Sequence, residues 1–83
     1  MNIEFVLRGK PYVLSRQDVE KKMKGILPEK IIIYYVEVNG QKYPPKQVIS
    51  RSLGLGKVEF TTMDAGNILR RLDFNLHNNN GDK

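Results

Sequence analysis

Lysine and arginine side chains have the clearest capacity for chemistry in this sequence, since the residues that catalysis usually requires are few and scattered. The chain carries 14 lysines and arginines against 9 acidic residues, which gives a net charge of +5. It has no cysteine and a single histidine, His77, so disulfides, thiolate chemistry and cysteine zinc sites are excluded. The acidic residues show no paired spacing suited to general acid and base catalysis. We therefore predict that the protein is not an enzyme and uses no metal or cofactor.

The positive charges are concentrated in one part of the chain. From Gln41 to Val58 there are four basic residues and no acidic one, whereas the remainder holds ten basic and nine acidic residues. The four are Lys42, Lys46, Arg51 and Lys57. Lysine and arginine neutralise phosphates and release the counterions condensed on a nucleic acid. If these side chains share one surface of the folded chain, they predict a polyanionic partner, with DNA first.

Other residues near this basic segment could add contacts to phosphates or bases. Tyr43 could offer a flat ring for base stacking. The candidates for hydrogen bonds are Gln47, Ser50 and Asn67. Arg70 and Arg71 would enlarge the basic surface if the last two helices lie side by side. Simpler interpretations stay open, because Tyr43 could equally be a core aromatic and the two arginines could belong to an ordinary solvated helix face.

Local sequence signals predict an α+β fold, in which three short helices pack on a small antiparallel sheet. Ile31–Val38 consists mainly of β-branched and aromatic residues, which favour strands. Asn39-Gly40 follows it, and this dipeptide is typical of a two-residue hairpin turn. The sheet is therefore predicted to centre on a hairpin over about residues 31–43. Two shorter strands are predicted at residues 3–7 and 12–14.

Helices are predicted over about residues 16–24, 45–53 and 62–72. Ser15 with Asp18 three residues later resembles a capping box for the first. Pro45 suits the first turn of the second, and an apolar stripe at helical spacing marks the third. The outward side of the second helix is predicted to show Lys46, Gln47, Ser50 and Arg51.

The length and the termini fit one domain. We predict a single globular domain over residues 1–76 and a disordered tail over residues 77–83, which contains three consecutive asparagines. The longest apolar run, from Ile31 to Val36, is far shorter than the roughly 20 residues that a membrane helix needs. The first residues include Glu4 and no basic stretch, unlike a signal peptide. A cytoplasmic location without a membrane partner is therefore expected.

The segment Gly40-x-x-Tyr43-Pro44-Pro45-Lys46 stands between a predicted strand and a predicted hydrophobic helix. Phe60 and then Leu69-Arg70-Arg71-Leu72-Asp73-Phe74 follow it. Over residues 13–74 this arrangement resembles the accessory modules found at or near the N-terminus of McrA-like, HNH-type, modification-dependent restriction endonucleases. The nuclease domain of those enzymes has no counterpart in this sequence. The resemblance implies a DNA-related recognition module linked to bacterial restriction or defence.

Two functions are compatible with these features. The first is DNA binding through a basic face, and its candidate residues are Lys42, Tyr43, Lys46, Gln47, Ser50, Arg51, Lys57, Asn67, Arg70 and Arg71. The alternative is a protein-interaction or homodimerisation module with no direct nucleic-acid contact. It rests on Ile31–Val38, because a strand with apolar residues on both faces needs cover on each.

Overall fold

The computed structural model of the protein describes residues 2–78 and has the α+β architecture that the sequence predicts. Its elements in chain order are β1 (Asn2–Leu7), β2 (Lys10–Ser15), α1 (Arg16–Met23), β3 (Tyr34–Val38), β4 (Gln41–Tyr43), α2 (Pro45–Leu53), a 3₁₀ turn (Lys57–Glu59), α3 (Thr62–Arg71) and β5 (Leu76–Asn78). The three predicted helices are all present, with boundaries within one residue of those expected. None of the helices in this described part is long and apolar enough to cross a membrane.

The strands form two small antiparallel sheets. One is the β1–β2 hairpin, and the other has the order β4-β3-β5 with β3 in the centre. The predicted turn between β3 and β4 is confirmed, since Asn39 and Gly40 both have positive φ, at 54° and 80°. That geometry matches the right-handed twist of the flanking strands. The turn sets the register, which places Glu37 opposite Lys42 and Val36 opposite Tyr43.

The central strand is shorter than the sequence predicts, because β3 begins at Tyr34 rather than at Ile31. Its partner β4 has only three residues and ends directly before Pro44, which has no N–H to extend the ladder. On the other edge, the pairing with β5 reaches only from Val36 to Tyr34. Within the described residues, no strand therefore lies opposite residues 31–33. Their high strand propensity is overridden because they lack a pairing partner.

The last strand corrects the predicted end of the domain. His77 and Asn78 were assigned to a disordered tail, but they pair with Tyr35 and Tyr34 as part of β5. Residues 79–83, the rest of that predicted tail, lie outside the described residues. The pairing depends on the second edge of β3, which is distant in sequence, so the local composition of the tail gave no sign of it.

The helices begin and end where their capping residues require. Ser15 accepts a hydrogen bond from the Asp18 N–H, and the Asp18 carboxylate accepts one from the Ser15 N–H, which confirms the predicted capping box of α1. In α2, Pro45 occupies the first turn and Gly54 ends the helix in the left-handed conformation. Thr61 caps α3 in the same way as Ser15 caps α1.

One hydrophobic core joins the sheets and the helices. Its largest fully buried side chains are Val19, Met23, Val36, Val38, Tyr43, Val48, Ile49, Leu69 and Leu72. Helix α2 packs against both α1 and α3, so its buried face lies in the middle of the molecule. Burial of each large aliphatic side chain contributes about 1.5–3 kcal/mol relative to exposure. The core therefore fixes α2, which carries Lys46 and Arg51 of the basic segment.

Candidate nucleic-acid interface

A groove lies between the segment that precedes β3 and the beginning of α2. It has a volume of about 410 Å³ and is the largest of three that we describe on the surface. Lysines and apolar residues line it together, and its main members are Lys30, Ile32, Ile33, Tyr34, Lys46 and Lys57. We call it the lysine groove. Side chains of this kind can offer positive charge and apolar surface to a single ligand.

Hydrogen bonds from β4 and α2 hold the segment that forms one wall of the groove. The Gln47 amide donates to the backbone carbonyl of Leu27 and accepts from the backbone N–H of Glu29, both at 2.9 Å. The Tyr43 hydroxyl donates to the carbonyl of Ile26 at 2.7 Å. Because Lys30 follows this anchored stretch directly, its backbone is positioned before any ligand arrives.

The groove carries more positive than negative charge. Three lysines and one glutamate, Glu29, are the ionised side chains that line it. Glu29 forms an ion pair with Lys57, whose side chain is 44% exposed. Within the described residues, Lys30 and Lys46 form no ion pair. The Lys46 ammonium group instead lies 5.8 Å from the centre of the Phe60 ring. An anionic ligand would therefore meet two lysines that carry no competing carboxylate.

The comparisons with known proteins identify a family. The model of the SCO5918-like family matches residues 4–83. The protein belongs to that family. Comparison with curated proteins and with solved structures found no match. The family match includes β1 from residue 4 onward and every later element through β5, so the SCO5918-like unit corresponds to nearly the whole described domain.

Two of the predicted site residues, Tyr43 and Gln47, are buried in this SCO5918-like domain. Tyr43 is fully buried, so its ring cannot stack on a base as predicted. Gln47 is only 4% exposed, and the prediction that it faces outward on α2 is wrong. The phase of the helix was correct, but residues 27–29 lie over this side chain and use both ends of its amide.

The remaining predicted residues of β4 and α2 do not share one surface. Lys46 lines the lysine groove, but Lys42 and Arg51 line none of the three grooves that we describe. Lys42 lies opposite Glu37, with its ammonium group 5.0 Å from the centre of the Tyr35 ring. The hydroxyl of the half-buried Ser50 donates a hydrogen bond to the carbonyl oxygen of Leu55, and this bond closes the turn after α2.

The predicted residues of α3 lie elsewhere. Asn67 and Arg71 line a second, smaller cleft beside β1, and Arg71 donates a hydrogen bond to the Glu4 carbonyl at 3.1 Å. Arg70 is exposed and donates to the Asn67 side chain at 3.4 Å. Although α2 and α3 do pack together, that packing does not bring these arginines into the lysine groove.

Lys30 and Tyr34 line the groove, but neither is among the site residues predicted from the sequence. Tyr34 belongs to the run Ile31–Val38, which is predicted as a single strand, and Lys30 directly precedes that run. Gly25 and Pro28 lie upstream, and two helix and strand breakers so close together are a signal for a loop. A loop at this position, in place of a strand, would have made Lys30 and the isoleucines that follow it candidates for the surface.

The third cleft includes His77, the single histidine of the sequence. His77 stacks on Tyr35 with ring centres 5.0 Å apart, and it lines a cleft with Glu37, Asp73 and Arg16. Arg16 lies over the ring of Phe74 at 4.1 Å. Among residues 2–78 there is no group of three or more histidine, aspartate or glutamate side chains that could hold a metal ion.

Proposed function

We propose that this protein binds nucleic acid, specifically DNA, and that the lysine groove is the contact surface. The observation that carries the proposal is the placement of Lys30 and Lys46 beside the Lys57–Glu29 pair in one groove. Two amines without a carboxylate partner in the described structure favour phosphates, because each contact releases condensed counterions. The net charge of +5 on the whole chain adds attraction over longer distances.

Lys57 can also contact a phosphate at a low cost in free energy. The side chains of Lys57 and Glu29 are 44% and 51% exposed, and exposed ion pairs contribute little, about 0–1 kcal/mol. A phosphate in the groove could therefore replace the Glu29 carboxylate as the partner of Lys57. The proposal then has three lysine contacts, fewer than the basic face that the sequence alone predicted.

The sequence resemblance supports a more specific context. The motif Gly40-x-x-Tyr43-Pro44-Pro45-Lys46 ends in a residue of the groove, and both of its prolines also line the groove. A recognition module of bacterial restriction or defence would use such a surface to contact DNA in the cytoplasm. This assignment is an extension of the DNA-binding proposal and depends on it.

Charge reversal at two positions of α2 tests the proposal. We expect Lys46→Glu to weaken binding to a labelled oligonucleotide by about tenfold, because it removes one phosphate contact and adds repulsion. Arg51→Glu is the matched control, since it changes the net charge equally on the same helix but lies outside the groove. Fluorescence anisotropy at low salt, about 50 mM, measures both variants.

Two results would contradict the proposal. Absence of binding by the unmodified protein at low salt would remove nucleic-acid binding altogether. Equal losses for Lys46→Glu and Arg51→Glu would mean that general charge, rather than the groove, determines the affinity. Circular dichroism of both variants verifies that neither substitution unfolds the domain.

A specific observation also favours a second function, a protein-interaction or self-association module. Large apolar side chains are exposed in the segment that precedes β3, namely Leu27 at 82%, Ile32 at 73% and Ile33 at 46%. Exposed apolar surface of this kind is typical of interaction sites. This apolar surface lies before β3, whereas the sequence predicts it on the sheet itself. On the central strand, Tyr35 is only 8% exposed. A strict monomer in sedimentation velocity at high concentration would exclude self-association.

A further inference from the structure

We infer that the lysine groove binds single-stranded nucleic acid in preference to duplex, with an unpaired base against its apolar residues and neighbouring phosphates on its lysines. The inference rests on the proposed function and goes beyond it by naming the form of nucleic acid. It follows from the combination of two surfaces in one groove, because phosphate binding alone would not require the exposed isoleucines.

Two apolar residues of the groove, Ile32 and Ile33, are exposed to solvent. Ile32 and Ile33 are 73% and 46% exposed, and the half-buried Tyr34 adjoins them at the start of β3. Pro44 and Pro45 complete the apolar lining. The faces of bases in a duplex are stacked on one another, so a duplex presents mainly phosphates and polar base edges. A single strand presents free base faces, which pack on aromatic and apolar side chains irrespective of sequence.

The size and rigidity of the groove also suit a small planar group. A volume of about 410 Å³ lies toward the lower end of the range of small-molecule pockets, about 300–1,000 Å³. The hydrogen bonds of Gln47 and Tyr43 to residues 26–29 fix one wall. A preformed wall lowers the ordering cost of binding. The groove therefore fits one or two bases of an extended strand.

Charge selects this occupant over a neutral apolar partner. Lys30 and Lys46 flank the apolar residues without carboxylate partners in the described structure. A neutral partner would leave both amines partly desolvated and unpaired, which costs free energy. A nucleic-acid strand alternates a flat apolar group with an anionic one, and thus matches both components of the lining.

Three labelled probes of equal length, about ten nucleotides, test the inference. They are a single strand, the same strand with every base removed, and a duplex. The abasic strand retains all phosphates, so it isolates the contribution of the bases. At low salt we expect the single strand to bind about tenfold more tightly than either the abasic strand or the duplex.

Two variants connect that difference to the groove. Tyr34→Leu keeps an apolar side chain and removes the ring, so it should weaken single-strand binding several-fold while leaving abasic binding unchanged. Ile32→Ser should act in the same direction. Val13→Ser is its matched control, because Val13 is an exposed β2 residue, at 58%, that does not line the groove. Circular dichroism verifies the fold of each variant.

The outcomes separate the inference from the function on which it rests. If no probe binds, nucleic-acid binding fails and the inference fails with it. If the three probes bind equally, or if Tyr34→Leu weakens all of them equally, DNA binding stands and the single-strand preference is overturned. If polyglutamate of equal charge binds more tightly than the single strand, both are overturned in favour of an acidic protein partner.

Discussion

The side-chain amide of Gln47 connects helix α2 to the segment that precedes β3. Its oxygen and nitrogen both bind backbone groups, those of Glu29 and Leu27, at 2.9 Å. Because Lys30 follows directly, Gln47 acts as a positioning residue for the lysine groove. Glutamine and tyrosine are compatible with either surface or interior, so the residue types of Gln47 and Tyr43 could not show which one applied.

Replacement of Gln47 by methionine should destabilise the domain by about 1–2 kcal/mol. The substitution preserves the size of the side chain but removes two hydrogen bonds, and it leaves the Leu27 carbonyl and the Glu29 N–H with fewer partners. Urea denaturation measures the change, and faster hydrogen exchange of the Glu29 amide should accompany it.

A matched control for that substitution is Gln17→Met. Gln17 is an exposed residue of α1, so the same chemical change there should alter stability by no more than about 0.5 kcal/mol. If the two variants were equally stable, the Gln47 amide would contribute nothing to holding the groove wall.

At the level of elements, β5 joins the end of the chain to the rest of the fold. Leu76 packs against the hydrophobic core and approaches α3 closely at Gly66. A β-carbon at Gly66 would lie 3.0 Å from the Leu76 side chain. The missing side chain of that glycine therefore lets the helix and the strand come together, and β5 covers the second edge of β3.

Leu76→Ala should destabilise the domain by about 1–2 kcal/mol, less than the loss at a fully buried leucine because Leu76 is only half-buried. Val58→Ala is the control, since Val58 is 88% exposed and its truncation should change stability by less than about 0.5 kcal/mol. Thermal or urea unfolding of the two variants measures the difference. Equal stabilities would contradict the placement of β5 against the core.

The Asn39-Gly40 turn forms between neighbouring residues, whereas β5 pairs with a strand far away in the sequence. The turn, the Ser15–Asp18 capping box and the Pro45 helix start depend on residues close together in the chain, and all three were predicted. The pairing of β5 with β3 joins residues about 40 positions apart and leaves no local pattern. The lysine groove was predicted only in part for the same reason, because Lys30 and Lys46 come from separate segments.

The whole molecule combines two properties with opposite consequences for association. Its net charge of +5 attracts polyanions and makes copies of the protein repel one another. Its exposed apolar residues before β3, such as Ile32, favour contact between proteins. Salt weakens the electrostatic effects and leaves the apolar ones in place. The two candidate functions therefore differ in the sign of their salt dependence.

An increase in salt from about 50 to about 200 mM should distinguish them. Three lysine–phosphate contacts with a single strand give a slope of about −2 for log K against log salt, so DNA affinity should fall roughly 15-fold. Self-association should instead strengthen over the same range, because screening reduces the repulsion between the copies. Anisotropy and sedimentation velocity on the same preparation measure the two. A DNA affinity independent of salt would contradict the phosphate contacts, and self-association that rises with salt in a protein without DNA affinity would assign the groove to a protein partner.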